Sequence, residues 1–181
     1  MFTRINNVYN TELTRFDNAT TGGEERLISG EVFEHTLDEL ATTVGLTSVK
    51  GDYDYINPDL DGLTMDLQVD RHIFDSEGNR FAFVECKTYL DASMLKRAMF
   101  DLLEIATEVD DPTIRYGVFA GQNAVKDVTL NYYKAFFQKA TGLPLEVFFV
   151  NEGKRTSSKP FAIHRFPLIE DRVDEVCAWL S

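Results

Sequence analysis

The sequence predicts an α/β fold in which helices flank a mixed central sheet on both faces. Residues 63–87 read as a β-hairpin of alternating apolar and polar residues. After the hairpin, helical and strand-like segments alternate along the rest of the chain. A hairpin pairs its strands antiparallel, whereas parallel strands need helical crossovers. The two patterns together predict a sheet that mixes both strand directions.

The elements up to the hairpin follow from spacing and from turn residues. Residues 1–23 are polar and end in two glycines, so we expect a loosely held lead-in. The first helix is predicted over about 30–44, because apolar residues recur at helical spacing and Gly45 follows as a stop. A turn-rich acidic connection, with room for a short strand, leads into the hairpin. Its strands read LTMDLQVDRHIF and RFAFVECK, and the turn between them reads DSEGN.

The segments after the hairpin are predicted in the same way. A helix with an apolar face begins near Asp91 or Ser93, and a strand follows a proline turn at PTIRYGVFAG. The next helix contains NYYKAFFQK, whose aromatic residues are expected in the core, and it ends at Gly142. A strand at LPLEVFFV and a short amphipathic helix at DRVDEVCAWL complete the order. The segments predict one domain over 1–181.

Composition limits the classes of protein that fit. The chain has 181 residues, of which 44% are hydrophobic, so a globular core is expected. No apolar run reaches the roughly 18 residues of a membrane span, and the polar start is unlike a secretory signal. Cys86 and Cys177 lack metal-site spacing, which favours a cytoplasmic protein with reduced thiols. The net charge of −12 argues against a nucleic-acid coat protein but permits a DNA enzyme that confines its cations to one face.

The hairpin brings three charged residues together. Its turn centres near residues 77–78, so facing residues should have numbers that sum to about 155, and Asp70 should face Glu85. Lys87 shares the face of Glu85 because strand side chains alternate with period two. The same rule places Asp59, which follows a proline, outside the hairpin as a turn residue. Asp66 has the right face but lies four residues away, where a DNA contact or a salt bridge would suit it.

Alternation also predicts how the first hairpin strand distributes its side chains. Leu67, Val69, Arg71 and Ile73 are expected on one side, and His72 on the side of Asp70. Two carboxylates this close repel each other unless a cation lies between them. Carboxylate oxygens, a backbone carbonyl and water form the shell that Mg²⁺ prefers. A lysine beside such an ion can orient an attacking water or stabilise phosphate charge, so the cluster suits phosphodiester hydrolysis.

Asp70, fourteen intervening residues and then Glu85-Cys86-Lys87 form a pattern that resembles the PD-(D/E)xK nuclease superfamily. The resemblance covers about 30–150 and implies a restriction-endonuclease-like αβββαβ core. It implies that Asp70 and Glu85 bind Mg²⁺ with the backbone carbonyl of Cys86, and that Lys87 is the catalytic lysine. Many members carry a further glutamate on the first helix. Glu34 suits this role better than Glu31 because it follows a phenylalanine, and we expect Glu34 in the site.

Basic residues outside this pattern are candidates for DNA contact. Lys96 and Arg97 lie on the helix after the motif and could reach phosphates, although a solvated helix face explains them better. His72 is a weaker candidate, because a lone histidine is more often structural. A further group follows the last predicted strand, where hydroxyl residues accompany Lys154, Arg155 and Lys159. It could form a loop that contacts phosphates or bases, and a flexible surface loop is the alternative.

The resemblance implies a Mg²⁺-dependent endonuclease that cuts double-stranded DNA, most like a type II site-specific restriction enzyme. Such an enzyme would act as a homodimer, or as the small catalytic subunit of a heterodimer whose larger partner reads the sequence. The acidic charge suits the second arrangement, since a subunit that only cuts can stay acidic. A repair, recombination or phage nuclease that recognises DNA structure is an alternative. A non-catalytic DNA-binding or assembly subunit is another.

Overall fold

The computed structural model describes residues 1–57, 63–109, 111–152 and 166–181, apart from the side chains at 26, 52–57 and 63–66. Two helices precede three strands, and helices and strands then alternate. The helices are α1 (Phe2–Asp17), α2 (Gly22–Thr43), α3 (Ala92–Val109), α4 (Asp127–Thr141) and α5 (Glu170–Leu180). The strands are β1 (Thr47–Asn57), β2 (Leu63–Phe74), β3 (Arg80–Leu90), β4 (Arg115–Asn123) and β5 (Leu145–Phe149).

The strands form one sheet in chain order. β1, β2 and β3 are antiparallel neighbours, whereas β3, β4 and β5 run parallel to one another. α3 and α4 are the crossovers that the two parallel connections require. The α/β class and the mixed sheet predicted from the sequence are therefore confirmed.

Helices cover both faces of the sheet, and each face has its own apolar cluster. α1, α2 and α5 pack on one side, called the α2 face, where Phe33, Leu37 and Phe119 are buried. α3 and α4 pack on the other side, called the α3 face, where Phe83 and Leu102 are buried. No helix among the described residues is both long enough and apolar enough to cross a membrane.

The beginning of the chain is a packed helix, so the expected loose lead-in over 1–23 is wrong. Ile5 and Tyr9 are buried in the core on the α2 face, and Leu13 continues the same stripe. The Tyr9 hydroxyl donates a hydrogen bond to the carbonyl of Phe166 over 2.9 Å. These apolar residues are spaced by four, which is a helical signal that the polar composition around them obscured.

α2 begins at Gly22 rather than near residue 30. The hydroxyl of Thr21 accepts a hydrogen bond from the amide of Glu24 at 3.2 Å, and the Glu24 carboxylate accepts one from the amide of Thr20 at 2.8 Å. Such caps satisfy N–H groups that have no partner within the helix. The helix ends at Thr43, and Gly45 follows with a φ of 83°, a conformation that favours glycine.

β2 and β3 pair in the register predicted from the turn. His72 pairs with Phe83 and Arg71 with Val84, and both pairs sum to 155. The register shifts by one residue only near the turn, between residues 73 and 74 of β2. The next residues along the two strands are Asp70 and Glu85, so the pairing leads directly to the two carboxylates.

A β-bulge interrupts the pairing of β2 with β1 at the same level. Val49 pairs with His72 and Gly51 pairs with Val69. Lys50 alone therefore lies opposite the two β2 residues between these pairs. Bulges of this kind bend a strand and redirect its side chains, and they are common beside active sites.

The bulge changes which side chains of β2 are buried on which face. Leu67 and Val69 pack in the cluster on the α3 face, whereas Ile73 packs on the α2 face and Arg71 contacts acidic residues of α2. The single stripe predicted for these four residues is therefore wrong. Asp70 nevertheless lies on the predicted face, because its position follows the undisturbed pairing with β3.

Candidate active site

Asp70, Glu85 and Lys87 meet at the end of the β2–β3 hairpin on the α3 face. The Lys87 ammonium donates to the Asp70 carboxylate at 2.9 Å and also to the Glu85 carboxylate. Glu85 is only 4% exposed. The structure thus brings together the three residues that the hairpin register predicted, with one cation shared by two anions.

The backbone of β3 holds Asp70 in place. The amide of Cys86 donates a hydrogen bond to the Asp70 carboxylate at 2.8 Å, the same oxygen that accepts from Lys87. The Cys86 side chain is buried in the cluster on the α2 face, away from the carboxylates. Cys86 thus contacts Asp70 through its backbone amide. The metal-binding role expected for its backbone carbonyl stays a prediction.

Burial and charge act against each other in this cluster. Burial raises the pKa of the Glu85 carboxyl to about 7, although the Lys87 ammonium acts to lower it. Burial acts to lower the pKa of Lys87, but the Glu85 and Asp70 carboxylates outweigh it and raise that pKa above its usual range. The lysine therefore keeps its proton at neutral pH, whereas Glu85 titrates close to neutrality.

The donor set suits a hard divalent cation. The Asp70 and Glu85 carboxylates already converge on one positive charge, the Lys87 ammonium. Mg²⁺ commonly uses one or two carboxylates and retains several waters. Among the residues that the structure describes, no three His, Cys, Asp or Glu side chains are grouped to bind a metal. A metal here would therefore rest on two carboxylates, completed by backbone oxygen and water.

The cluster lies in a cleft of about 590 Å³ between the sheet and α3. From α3, Arg97 and Asp101 line the cleft, and an ion pair of 3.8 Å joins them. From β1, Lys50 lines it as well. The remaining lining residues are Gly51, Gln68, Val69, Asp70, Glu85, Lys87 and Met94.

The structure separates the two basic residues predicted on α3. Arg97 lines the cleft, and its side chain is 85% exposed. Lys96 is absent from the lining, and its ammonium lies 6.0 Å from the ring centre of Phe100. Lys50 and Asp101 were missed from the sequence. Asp101 could have been predicted from the sequence, because it lies one helical turn after Arg97 and therefore on the same face of α3.

Glu34 lies in a buried charge cluster instead of lining the cleft. Its carboxylate contacts Arg71 at 2.7 Å and Lys50 at 3.2 Å. The role expected for Glu34 in the site therefore stays a prediction, and its described partners are cations. Glu31 contacts Arg15 of α1 at 3.0 Å, which directs it away from the hairpin.

Arg71 joins α2 to β2 immediately beside Asp70. Its guanidinium donates to both carboxylate oxygens of Asp38, at 2.7 and 3.1 Å, and to the backbone carbonyl of Asp70 at 2.9 Å. Ser48 adds a hydrogen bond to Asp38 at 2.6 Å. Strand alternation had placed Arg71 with apolar neighbours, so this network was missed.

The remaining candidates fall into two groups. His72 is buried at 2% exposure with its ring edge against Phe83, which suits a structural role. Asp59 and the side chain of Asp66 lie outside the described residues. The basic group of Lys154, Arg155 and Lys159 also lies outside them.

The fold and site define an α/β protein with a carboxylate–lysine cluster at the open end of a hairpin. No protein-family model and no curated protein matches the chain. Among solved structures, the chain is similar to NucC of P. aeruginosa ATCC27853 in its cAAA-bound form. The TM-score is 0.57 at 12% identity, over 97% of this chain and 88% of NucC. The two chains share their fold.

Proposed function

We propose that the protein is a metal-dependent endonuclease that hydrolyses phosphodiester bonds of double-stranded DNA. The observation that carries this proposal is the convergence of Asp70, Glu85 and Lys87 in an open cleft. The sequence pattern supports it as well, because Asp70 and Glu85-Cys86-Lys87 resemble the PD-(D/E)xK nuclease superfamily. The fold that the chain shares with NucC is consistent with this proposal. The electrostatics also support it, since two carboxylates can hold a metal ion and an ammonium can stabilise the charge that develops on a phosphate.

Each residue of the cluster has a proposed task. Asp70 and Glu85, with the Cys86 carbonyl, would hold Mg²⁺. When bound, the ion supplies Lewis-acid polarisation of the phosphate and a more acidic water. Lys87 donates hydrogen bonds to the attacking water or to the phosphate oxygens, where it stabilises the negative charge that develops. The Cys86 amide keeps Asp70 aligned throughout.

The proposed cleavage is of the restriction type, with site-specific cuts in both strands. One active site per chain requires two copies for two strands, so the chain would work as a homodimer or beside a larger recognition subunit. The net charge of −12 supports the second arrangement. In either arrangement the cluster around Lys87 performs the cut.

The test is a digest of plasmid DNA by the purified full chain with Mg²⁺ or with EDTA, followed by sequencing of the DNA ends. We expect Mg²⁺-dependent cutting at discrete sequences. Asp70→Ala and Lys87→Ala should cut roughly 10²–10³-fold more slowly, as for the loss of one charge-stabilising group. The exposed Lys139→Ala on α4 is the matched control for a lost lysine charge.

The outcomes separate the proposed function from its alternatives. Cuts scattered along the plasmid, or confined to branched DNA, would indicate a nuclease that recognises structure. No cutting with any divalent metal, alone or with a candidate partner subunit, would indicate a non-catalytic subunit. Undiminished cutting by Lys87→Ala would refute the role given to that lysine. Calorimetry of Mg²⁺ with wild type and Asp70→Ala tests the metal site independently of activity.

A further inference from the structure

Three cations line the described cleft of a chain whose net charge is −12. Lys87 is engaged by Asp70 and Glu85. Arg97 and Lys50 are far more exposed, at 85% and 66% of their side chains. Duplex DNA carries one negative charge per roughly 1.7 Å of its axis, so a cleft that admits it needs cations exposed enough to meet phosphates. Arg97 and Lys50 are the two lining cations that meet this need.

The β-bulge fixes the position of Lys50 relative to Asp70. Lys50 is the single β1 residue that faces both Asp70 and Arg71. Its backbone is therefore held one strand away from Asp70, while its side chain lines the same cleft. Arg97 lines the same cleft from α3. The two cations therefore reach the cleft from separate elements.

Glu34 restrains the Lys50 side chain and leaves other N–H donors of its ammonium available. An ammonium has three N–H donors, and the Glu34 carboxylate at 3.2 Å accepts from one of them. The same Glu34 oxygen lies 2.7 Å from Arg71, so Lys50 shares this carboxylate with Arg71. Glu34 is buried and anchored by Arg71, whereas Lys50 is exposed, so the carboxylate can hold the lysine ammonium beside the cleft.

Resting on the nuclease function proposed above, we propose that Lys50 contacts the phosphate backbone of the bound DNA and that Glu34 is its positioning residue. Arg97 contacts the backbone from the α3 side, so the strand to be cut lies between the two cations and over Lys87. Phosphate contacts carry no base information. Lys50 therefore contributes affinity and register on the duplex, and it leaves sequence preference unchanged.

The test measures binding of a fluorescent duplex by anisotropy at several NaCl concentrations, in the Lys87→Ala background so that cutting does not interfere. Lys50→Ala should lower the slope of log K against log [salt] by about 0.9, the value for one lost phosphate contact. It should weaken binding to every duplex sequence alike. Lys50→Arg keeps the charge and should keep the slope. Lys139→Ala, which removes an exposed lysine outside the cleft, should behave as the parent.

Glu34→Met removes both the charge and the hydrogen-bond acceptor, and it tests the positioning role because the two explanations predict opposite signs. If Glu34 acts only through its charge, its neutralisation should tighten binding of a polyanion. If it positions Lys50, binding should weaken while the salt slope stays, because the lysine is still present. A Lys50→Ala variant with the slope and affinity of Lys139→Ala would overturn the inference. If the unmutated chain, alone or with its partner, cuts no DNA with Mg²⁺, the nuclease function itself fails, which is a different result.

Discussion

Replacing Arg71 with leucine should destabilise the fold by about 3 kcal/mol. The Arg71 and Glu34 side chains are 5% and 10% exposed and lie 2.7 Å apart, and Asp38 completes the network. Removing one partner of a buried ion pair costs roughly 3–5 kcal/mol, because the remaining charge stays desolvated. The lower end applies here, since Asp38 is 34% exposed and Glu34 retains Lys50 at 3.2 Å.

Urea unfolding followed by the fluorescence of Trp179, the single tryptophan, measures this cost. With a slope of about 2 kcal/mol per molar urea, a loss of 3 kcal/mol lowers the midpoint by roughly 1.5 M. Arg97→Leu is the control, because its side chain is 85% exposed and its loss should change stability by less than about 0.5 kcal/mol.

Equal midpoints for Arg71→Leu and Arg97→Leu would refute the reasoning, since they would show that the buried carboxylates do not need the guanidinium. Where Arg71→Leu fails to fold, Arg71→Lys keeps the charge with fewer donors and should lower the midpoint by a smaller amount. Adding Glu34→Gln to Arg71→Leu should recover part of the loss, because it removes one of the stranded charges.

Three further substitutions test other parts of the structure. Ile5→Ala should cost about 2–5 kcal/mol in urea unfolding, because Ile5 is fully buried where α1 meets the core. Gly121→Ala should cost about 3 kcal/mol or more, since its new Cβ would lie 2.5 Å from the carbonyl oxygen of Thr88 and also overlap Phe33. In EDTA, the unfolding free energy of wild type should fall by up to about 3 kcal/mol as the pH rises from 4.5 to 8, more steeply than that of Glu85→Gln. Burial raises the pKa of the Glu85 carboxyl to about 7, so the folded state binds the carboxyl proton more tightly than the unfolded state does. The stability that this proton contributes is present at low pH and is lost as the pH rises through 7.

The first two of these substitutions have control variants in the same chain, and the third has a contradicting outcome. Thr3→Ala changes an exposed position of α1 and should be nearly neutral, and a loss equal to that of Ile5→Ala would contradict the packing of α1. Gly30→Ala adds a Cβ with nothing within 4 Å in a helix and should stabilise by roughly 0.5–1 kcal/mol. Parallel pH curves for wild type and Glu85→Gln would exclude Glu85 as the titrating group.

The sequence was sufficient to place the central cluster because a short hairpin turn determines its register. Once the turn was located, Asp70 and Glu85 had to share a face, and the β2–β3 pairs follow the predicted sum. The start of α3 was also readable, since Asp91 accepts hydrogen bonds from the amides of Ser93 and Met94 there. Local turn and cap chemistry leaves few alternatives.

The rest depended on contacts between distant segments. The sequence did not reveal α1, because most residues of this segment are polar. Its few apolar residues are nevertheless buried, and Tyr9 lies in the core at 1% exposure. The Glu34–Arg71 pair joins residues 37 positions apart on a helix and a strand, and no local pattern encodes such a contact. Lys50 was missed because the bulge that aligns it with the cleft depends on how β1 meets β2. Two of the NYYKAFFQK aromatics, Tyr132 and Phe136, are exposed rather than buried, since only part of α4 faces the sheet.

The extra residue in β2 also limits how the length of this chain can vary. The pairing with β3 sets where Asp70 points, and the packing under α3 sets where Leu67 and Val69 point. A strand of regular alternation cannot satisfy both demands. Deleting one residue from 67–70 would therefore force a choice between a filled core and an aligned carboxylate. We expect natural variation in this protein to preserve the length of β2 even where its sequence changes.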